Sequence, residues 1–179
     1  MFRVKEGNLD QMALLFDRHH RPLYGFFYHH TGIKDESEDL VQTVFMNMIR
    51  SRATFTGTYK FETWMYTIAR NALKDYYRKN KRTGVTVNTE EVEEHVKEAT
   101  TADSTLHRKE EEQILRKALA RLSETDRELI ILSRYREMKY HEIAEILKLS
   151  EGAIKVRIHR AVKQLREIYL EISQQTMSV

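Results

Sequence analysis

The sequence predicts an all-α protein made of two small helical domains that an acidic linker joins. The chain of 179 residues contains one proline and six glycines, too few for a β-rich protein with many tight turns. Apolar side chains recur every three to four residues in several segments, which is the spacing of one helical face. A chain of this length suits one medium domain or two small ones.

The distribution of charge favours two domains. Residues 1–82 carry a net charge of +5, residues 83–112 carry −6 and residues 113–179 carry +4, which gives the total of +3. The early part of the acidic segment has few large apolar residues and no sustained period, as expected of a linker. We therefore predict domains at 1–82 and 108–179, a linker at 83–107, and a helix that resumes near Ser104 or Thr105. A solvated helix within a single domain is the alternative.

Two helices are predicted at the start of the first domain. The first covers 8–30 and is expected to bend or break at Pro22, which cannot donate an interior hydrogen bond. The second covers about 36–51 and begins at the sequence DESE, residues 35–38, where an aspartate three residues ahead of a glutamate resembles a capping box. Its apolar face is predicted to contain Leu40, Val44 and Met48.

A third helix is predicted from about Phe61 to Lys81, and its last part is basic and rich in tyrosine. Cations interleaved with aromatic rings suit single-stranded nucleic acid, because rings stack on bases while cations hold the backbone. The aromatic and apolar residues near its start, Trp64, Tyr66 and Ile68, are better explained as core.

The segment 140–166 predicts two short helices with Ser150 as the N-cap of the second. In the second helix a predicted buried stripe contains Ile154, Ile158, Ala161, Val162 and Leu165. Five cations lie outside this stripe, namely Lys155, Arg157, Arg160, Lys163 and Arg166, and residues 152–166 contain no acid. This pattern predicts a helix that binds an anionic partner.

Several classes of function are excluded or disfavoured by the sequence. The absence of cysteine excludes a disulfide scaffold, a thiolate zinc site and a cysteine nucleophile. We see no phosphate-binding loop and no nucleophile in a recognisable context, so we expect no enzyme activity and no cofactor. The pairs His19/His20 and His29/His30 lack a carboxylate partner that would complete a metal site, so no metal is expected. No signal peptide or membrane span is evident, which predicts a cytoplasmic protein without membrane insertion.

Three motifs together resemble the bacterial extracytoplasmic-function (ECF) sigma factors, the two-domain sigma factors that give RNA polymerase its promoter specificity. They are DLVQTVF at 39–45, FETWMYTIARNALKDYYRK at 61–79 and LSEGAIKVRIHRAVKQLRE at 149–167. A lone helix-turn-helix is a weak signal, but these motifs in this order are specific. The resemblance implies that domain 1–82 is sigma region 2 and that domain 108–179 is sigma region 4.

The resemblance assigns polymerase binding and −10 recognition to the first domain. The helix with Asp39, Leu40, Gln42 and Phe45 corresponds to the segment that binds the clamp helices of core polymerase. The loop 53–60 and the following helix correspond to the part that opens the −10 element and reads its melted non-template strand. We call the residues expected there the −10 set: Phe55, Tyr59, Trp64, Arg70, Asn71, Lys74 and Arg78. Asp75 is expected to orient its basic neighbours.

The resemblance assigns the helix-turn-helix, about 140–166, to the major groove of the −35 element. The −35 set comprises Lys155, Val156, Arg157, His159, Arg160, Lys163 and Arg166. By position, Val156, His159 and Arg160 are predicted to contact bases, whereas the other cations meet phosphates. Lys148 and Glu137 replace glycines common in the family, and a left-handed non-glycine residue costs about 1 kcal/mol. Lys139 stands where a hydroxyl cap is usual.

The implied partners are core RNA polymerase, through its clamp helices and flap, promoter DNA and an anti-sigma factor. Two other functions stay open from the residues alone. A DNA-binding regulator would use the C-terminal helices as a dimer and the N-terminal block as a sensor. An RNA-binding or RNA-processing protein would use the basic, tyrosine-rich helix.

Overall fold

The computed structural model describes residues 1–83 and 102–177, so most of the predicted linker lies outside the described residues. Eight α-helices and no strands occur in these two ranges, which confirms the all-α prediction. The helices are α1 (Phe2–Lys5), α2 (Gln11–Thr31), α3 (Lys34–Arg50), α4 (Phe61–Thr83), α5 (Ala102–Arg121), α6 (Glu124–Ile130), α7 (Tyr140–Leu147) and α8 (Glu151–Met177). None of these helices is long and apolar enough to cross a membrane.

In the first domain, α3 packs against both α2 and α4. The predicted face of α3 is buried, since Leu40, Val44 and Met48 are 6%, 0% and 0% exposed. The first helix does not break at Pro22, because α2 continues through it to Thr31, and the alternative of a bend stays a prediction. A proline inside a helix loses one hydrogen bond and its ring crowds the carbonyl four residues earlier, and the packing of α2 against its neighbours offsets this cost.

The predicted capping box of α3 is also wrong. The helix begins at Lys34, so Asp35 lies inside its first turn and the N-cap, Ile33, has no side-chain acceptor. Buried hydroxyls stabilise this corner instead. The Thr31 Oγ1 atom accepts from the Ile33 amide at 3.2 Å and lies 2.9 Å from the Ser37 Oγ atom. The Ser37 hydroxyl in turn donates to the Ile33 carbonyl.

The second domain contains the predicted helix-turn-helix, formed by α7 and α8. Ser150 caps α8 as predicted, because the Ala153 amide donates to its Oγ atom at 3.2 Å. Glu137 and Lys148 have φ angles of 52° and 57°, the left-handed conformation that the missing glycines imply. The α8 helix continues beyond residue 166 to Met177, because Leu165, Ile168 and the buried Ile172 extend its apolar side.

The two domains share a hydrophobic core. Buried apolar side chains of α2, α3 and α4 form one cluster with those of α6, α7 and the start of α8. A smaller cluster joins α5 to the middle of α8 through Leu119, Leu122 and Ala161. The loop before α4 and the α4 helix itself therefore lie next to α6 and α7, which brings the two predicted DNA-binding regions into one compact body.

Candidate nucleic-acid interface

The exposed face of α8 contains the complete −35 set. Ile154, Ile158 and Ala161 are at most 2% exposed and fix α8 against the core, as predicted. All seven members of the −35 set are exposed, and Val156 is 51% exposed. Because α8 is anchored on one side only, its opposite side presents five cations, a histidine and a valine to solvent.

Val162 does not belong to the buried stripe, as it is 37% exposed. Beyond Ala161 the apolar side of α8 turns toward α5, so Val162 is left at the rim of a groove. This groove of about 420 Å³ is lined by Arg134 and Tyr140 together with Lys155, Val156, Ile158, His159, Arg160 and Val162. Arg134 and Tyr140 were missed from the sequence, although a cation shortly before the motif and an aromatic residue at the start of its first helix were a usable signal.

The loop before α4 places the aromatic members of the −10 set in two environments. Phe55 is 5% exposed, with its ring 5.0 Å from that of Phe2 and 5.4 Å from that of Trp64. In this conformation Phe55 supports the loop and presents no free face to a base. Trp64 is partly buried, and its Nε1 atom donates to the Thr54 Oγ1 atom at 3.1 Å.

Tyr59 is the aromatic side chain of the −10 set that is open to solvent. It is 51% exposed. A hydrogen bond to the carboxylate of Glu145 raises the pKa of its hydroxyl. Tyr59 is thus accessible but already engaged by an acidic residue of α7.

The polar members of the −10 set follow one another along α4. Asn71, Lys74 and Arg78 are exposed. Asp75 forms an exposed ion pair with Arg78 at 2.9 Å, and its role in orienting the basic residues stays a prediction. Arg70 differs from them, because its Nε atom donates to the Glu128 Oε2 atom at 3.0 Å and its side chain is only 18% exposed.

Lys60, at the end of the loop, was not in the predicted set but belongs to this surface. Its Nζ atom lies 2.8 Å from the Glu142 Oε1 atom. Burial is the largest single influence on the Glu142 carboxyl and by itself would raise its pKa. The hydrogen bonds from Lys60 and from the Lys139 backbone, together with the charge of Lys60, outweigh burial, so the pKa of Glu142 is lowered. We call Tyr59, Lys60, Arg70, Asn71, Lys74 and Arg78 the −10 surface.

The α3 helix divides the four residues predicted to bind polymerase into two pairs. Asp39 and Gln42 are exposed, whereas Leu40 and Phe45 are both 6% exposed and pack in the core. An open groove of about 380 Å³ runs beside the exposed pair between α2 and α3. Its lining combines apolar and polar side chains, namely Phe16, His20, Arg21, Tyr24, Glu38, Val41 and Gln42.

Two family models match the chain in the order that the fold shows. The model described as Sigma-70 region 2 matches residues 15–83, and the model described as Sigma-70, region 4 matches residues 112–165. The first match contains most of α2 together with α3 and α4, and with them the −10 surface. The second contains the later part of α5, α6, α7 and the first part of α8, with every member of the −35 set except Arg166.

Similar proteins are sigma factors along nearly their whole length. The RNA polymerase sigma factor CarQ of Myxococcus xanthus is 31% identical over 96% of this chain and 97% of its own. The ECF RNA polymerase sigma factor SigW of Bacillus subtilis is 28% identical over 92% of each chain. A crystal structure of the sigma factor RpoE with the anti-sigma factor NepR from Bartonella quintana is similar with a TM-score of 0.71 and 28% identity. That match covers 87% of this chain and 94% of the RpoE chain.

The fold, the order of the two matched regions and the similarity over full length agree. Sigma factors as a family are not enzymes. The chain belongs to the ECF sigma factors of RNA polymerase, and its function is promoter-specific initiation of transcription.

Proposed function

We propose that each of the three surfaces described above binds a separate part of the transcription initiation complex. The exposed side of α3 with Asp39 and Gln42 binds the clamp helices of core polymerase. The −10 surface opens the −10 element and holds its non-template strand, and α8 reads the −35 element while the second domain contacts the flap. The observation that carries the proposal is the exposed −35 set on a helix fixed by its opposite, buried side. The protein would act in the cytoplasm, where promoter DNA and polymerase are found.

The composition of α8 supports a division between base reading and charge. Arg160 lines the groove beside Val156 and His159, so its guanidinium can reach a base edge bidentately. The exposed Val156 suits the methyl group of a thymine. Lys163 lies further along the helix and pairs weakly with Glu167 at 4.0 Å, which leaves it available to a phosphate.

The composition of the −10 surface supports binding of a melted strand. Extracting a base from the duplex costs a few kcal/mol of unstacking, so the surface must compensate with hydrogen bonds, stacking and charge. Asn71 offers an amide for a base edge and Tyr59 offers an exposed ring. Lys60, Lys74 and Arg78 supply the positive charge that holds a phosphate backbone.

Run-off transcription with core polymerase tests the proposed function as a whole. We expect specific transcripts only when the chain is added to core enzyme and a cognate promoter. Specific binding of a palindrome by the chain alone would favour a regulator, and a preference for RNA over a promoter fork would favour an RNA-binding protein. Either result without transcript formation would contradict the proposal.

Substitution of Arg160 and of Lys163 is expected to separate base reading from charge. Arg160→Ala should reduce discrimination at one position of the −35 element by about 1–3 kcal/mol, because a bidentate guanine contact is lost. Lys163→Ala should weaken all sequences alike and reduce the salt slope by about one unit. The measurement is the affinity of the holoenzyme for single-base −35 variants at several salt concentrations.

The two variants are matched controls for each other, since each removes one cation from the same exposed side of α8. Equal losses that do not depend on sequence would show that Arg160 contacts only phosphate. A loss of discrimination in Lys163→Ala would reverse the assignment.

The double substitution Asp39→Ala with Gln42→Ala is expected to weaken binding to core polymerase without unfolding the domain. Both side chains are exposed on α3, whereas the residues that hold α3 in place are buried and unchanged. The matched control is Glu6→Ala with Asn8→Ala, which also removes an exposed acid and an exposed amide from the first domain. Titration of labelled protein with core enzyme measures the effect, and equal affinity of the two double variants would refute the polymerase surface.

We also propose that an anti-sigma factor controls this chain. The similar RpoE structure contains the anti-sigma factor NepR, and that likeness supports a partner of the same kind. Such a partner would compete with polymerase for the side of α3 that Asp39 and Gln42 expose. Co-purification of an inhibitor that lowers run-off transcription, and that core enzyme displaces, would support this assignment.

A further inference from the structure

The short helix α1 lies against the loop that precedes α4. We call residues 53–60 the −10 loop, because they contain Phe55 and Tyr59 of the −10 set. The Phe2 ring lies 5.0 Å from the Phe55 ring, and the Lys5 Nζ atom donates to the Phe55 carbonyl at 2.8 Å. A ring contact and a hydrogen bond thus join α1 to a loop fifty positions later in the sequence.

Gly57 allows the Phe2 ring to approach the backbone of the −10 loop. A Cβ atom built at Gly57 would overlap the Phe2 Cζ atom and would lie 3.3 Å from the ring atoms on either side of it. The φ angle of Gly57 is 75°, a left-handed conformation that residues with a Cβ atom rarely adopt. Glycine at this position therefore serves both the turn of the loop and its contact with Phe2.

The core of the first domain fixes α1 on its other side. A helix of four residues is not stable by itself, so α1 depends on packing. Val4 is 0% exposed and belongs to the main apolar cluster, against which the partly buried Met1 also packs. Phe2 is 55% exposed and extends from the core toward the loop. The α1 helix therefore connects the −10 loop to a rigid part of the domain.

Phe55 is the one residue of the −10 loop that is buried. Residues 56–60, which form the tip of the loop, are all exposed. An exposed segment with few buried contacts has low local stability. Reading a base requires the contacting groups to be held within about 0.5 Å of the productive geometry. The support of Phe55 and Gly57 by α1 therefore bears on how sharply the loop can discriminate between bases.

We propose that α1 is a positioning element for −10 recognition, with Phe2 and Lys5 holding Phe55 and Gly57 so that the loop tip meets the melted strand in one conformation. Phe2 acts through the loop and needs no contact of its own with DNA. This role rests on the proposed −10 function, whereas the contact between α1 and the loop does not. Changes in residues 2–5 should alter discrimination at the −10 element and leave the reading of the −35 element by α8 unchanged.

The fluorescence of Trp64 in the full chain tests the support of the loop without DNA. Trp64 is the only tryptophan of the chain. Its ring lies 5.4 Å from the Phe55 ring, and its Nε1 atom donates to the Thr54 Oγ1 atom of the loop. Phe2→Ala and Lys5→Met should each shift the emission to longer wavelengths and increase quenching by acrylamide, because the loop is then held less firmly over Trp64. Wild-type emission and quenching in both variants would contradict the supporting role of α1.

The affinity of the holoenzyme for single-base −10 variants tests the recognition step. Phe2→Ala should reduce discrimination at one or more −10 positions by about fivefold or more, because a base contact that is held loosely loses its selectivity. Discrimination among −35 variants should stay at the wild-type value. Phe2→Leu keeps an apolar side chain over Gly57 and should restore most of the −10 discrimination and of the Trp64 signal. A restored Trp64 signal without restored discrimination would show that Phe2 contacts DNA itself, and the positioning role would be wrong.

Two matched variants control for loss of charge and for loss of apolar surface. Arg3→Met removes another exposed cation from α1, and Leu14→Ala removes a 60% exposed apolar side chain from α2. Both should keep the wild-type Trp64 signal and the wild-type −10 discrimination. Equal effects in Arg3→Met and Lys5→Met would show that charge alone is responsible, and the hydrogen bond to Phe55 would lose its assigned role.

Gly57→Ala alters the same contact from the side of the loop. The new Cβ atom displaces the Phe2 ring, so this variant should reproduce the loss of −10 discrimination. Added to Phe2→Ala, it should cause a smaller further loss than it causes alone, because the two substitutions act on one contact. Fully additive losses would overturn the shared contact.

Asn71→Ala separates a failure of this inference from a failure of the proposed function. Asn71 is an exposed member of the −10 surface on α4. A loss of −10 discrimination in Asn71→Ala but not in Phe2→Ala would overturn the positioning role and retain the −10 assignment. Wild-type discrimination in both variants, with an altered Trp64 signal in Phe2→Ala, would refute the −10 assignment and with it the role of α1.

Discussion

Arg127→Met is expected to lower the free energy of unfolding by about 3 kcal/mol or more, because it removes the donor that satisfies a set of buried carbonyl groups. The Arg127 side chain is 8% exposed, and its Nε atom donates to the Leu119 carbonyl at 2.8 Å. Its other nitrogens donate to the carbonyls of His30, Ala120 and Leu122. One guanidinium thus caps the C-terminal end of α5 and joins it to the end of α2.

The physical reason for a large effect is that methionine can fill the space but cannot donate a hydrogen bond. Each buried carbonyl left without a donor costs about 1–3 kcal/mol, and α5 also loses the positive charge that favours a helix C-terminus. A domain of ordinary stability has only about 5–15 kcal/mol in total. Urea unfolding of the full chain measures the loss.

Arg121→Met is the matched control for this substitution. Arg121 is an arginine in the last turn of α5, close to the carbonyls that Arg127 of α6 satisfies, but its side chain is 50% exposed and pairs with the exposed Glu171. Exposed pairs of this kind typically contribute up to about 1 kcal/mol. If Arg127→Met loses no more stability than Arg121→Met, the capping role assigned to Arg127 is wrong.

Local pattern predicted the helices and the outward side of α8 because both depend on neighbours in the sequence. A buried stripe at helical spacing determines which side of a helix faces solvent, so the positions of all members of the −35 set followed from Ile154, Ile158 and Ala161. The pattern failed at Val162, where α8 changes the element against which it packs. The end of α8 was also missed, since its last turns are held by contacts with α5.

The −10 surface was predicted less completely because the exposure of its side chains depends on contacts with residues that are distant in the sequence. Phe55 was expected to face DNA, yet the ring of Phe2, more than fifty positions earlier, helps to bury it. Nothing in the local sequence distinguishes Arg70, which pairs with Glu128, from the exposed Lys74 and Arg78. The spacing of charges along α4 identifies a basic side, but only the fold shows which cation is already neutralised.

Two consecutive histidines at the end of α2 lie between the domains and make this contact sensitive to acid. The ring of His29 lies 4.1 Å from that of Tyr135, and its Nδ1 atom is buried without a partner. The ring of His30 packs on Phe26 at 4.8 Å, and neither of its nitrogens has a partner. Burial, and after it the positive charges of Arg116, Arg127 and Arg136, disfavour the protonated form of both rings and so lower their pKa.

Burial lowers the pKa of His29 to about 4, with further contributions from the positive charges of Arg136 and Arg116. Burial, followed by the charge of Arg127, lowers the pKa of His30 well below its usual 6.5. The unfolded chain therefore binds more protons than the folded chain below pH 6.5. The stability that depends on the neutral histidines is fully present above pH 6.5 and is lost as the pH falls toward 4. The reason is that the unfolded state, in which the histidines have the higher pKa, binds protons first.

Between pH 7 and pH 5 the two histidines together should remove about 4 kcal/mol of stability, at roughly 1.4 kcal/mol per pH unit for each group below its unfolded pKa. Glu128 acts in the opposite direction, because burial raises the pKa of its carboxyl and the folded state then binds the extra proton. The effect of the histidines must therefore be isolated by comparison with a variant that cannot be protonated there.

His29→Gln with His30→Gln supplies that comparison, because glutamine stays neutral at both pH values. The double variant should be less stable than the wild type at pH 7, since glutamine packs less well against Tyr135 and Phe26. Between pH 7 and pH 5 the stability difference should move by about 4 kcal/mol in favour of the variant. His141→Gln, at an exposed position of α7, is the control and should follow the wild type at both pH values. Urea unfolding curves at pH 7 and pH 5 provide the measurement, and parallel losses in the wild type and the double variant would show that the histidine pair does not cause the acid sensitivity.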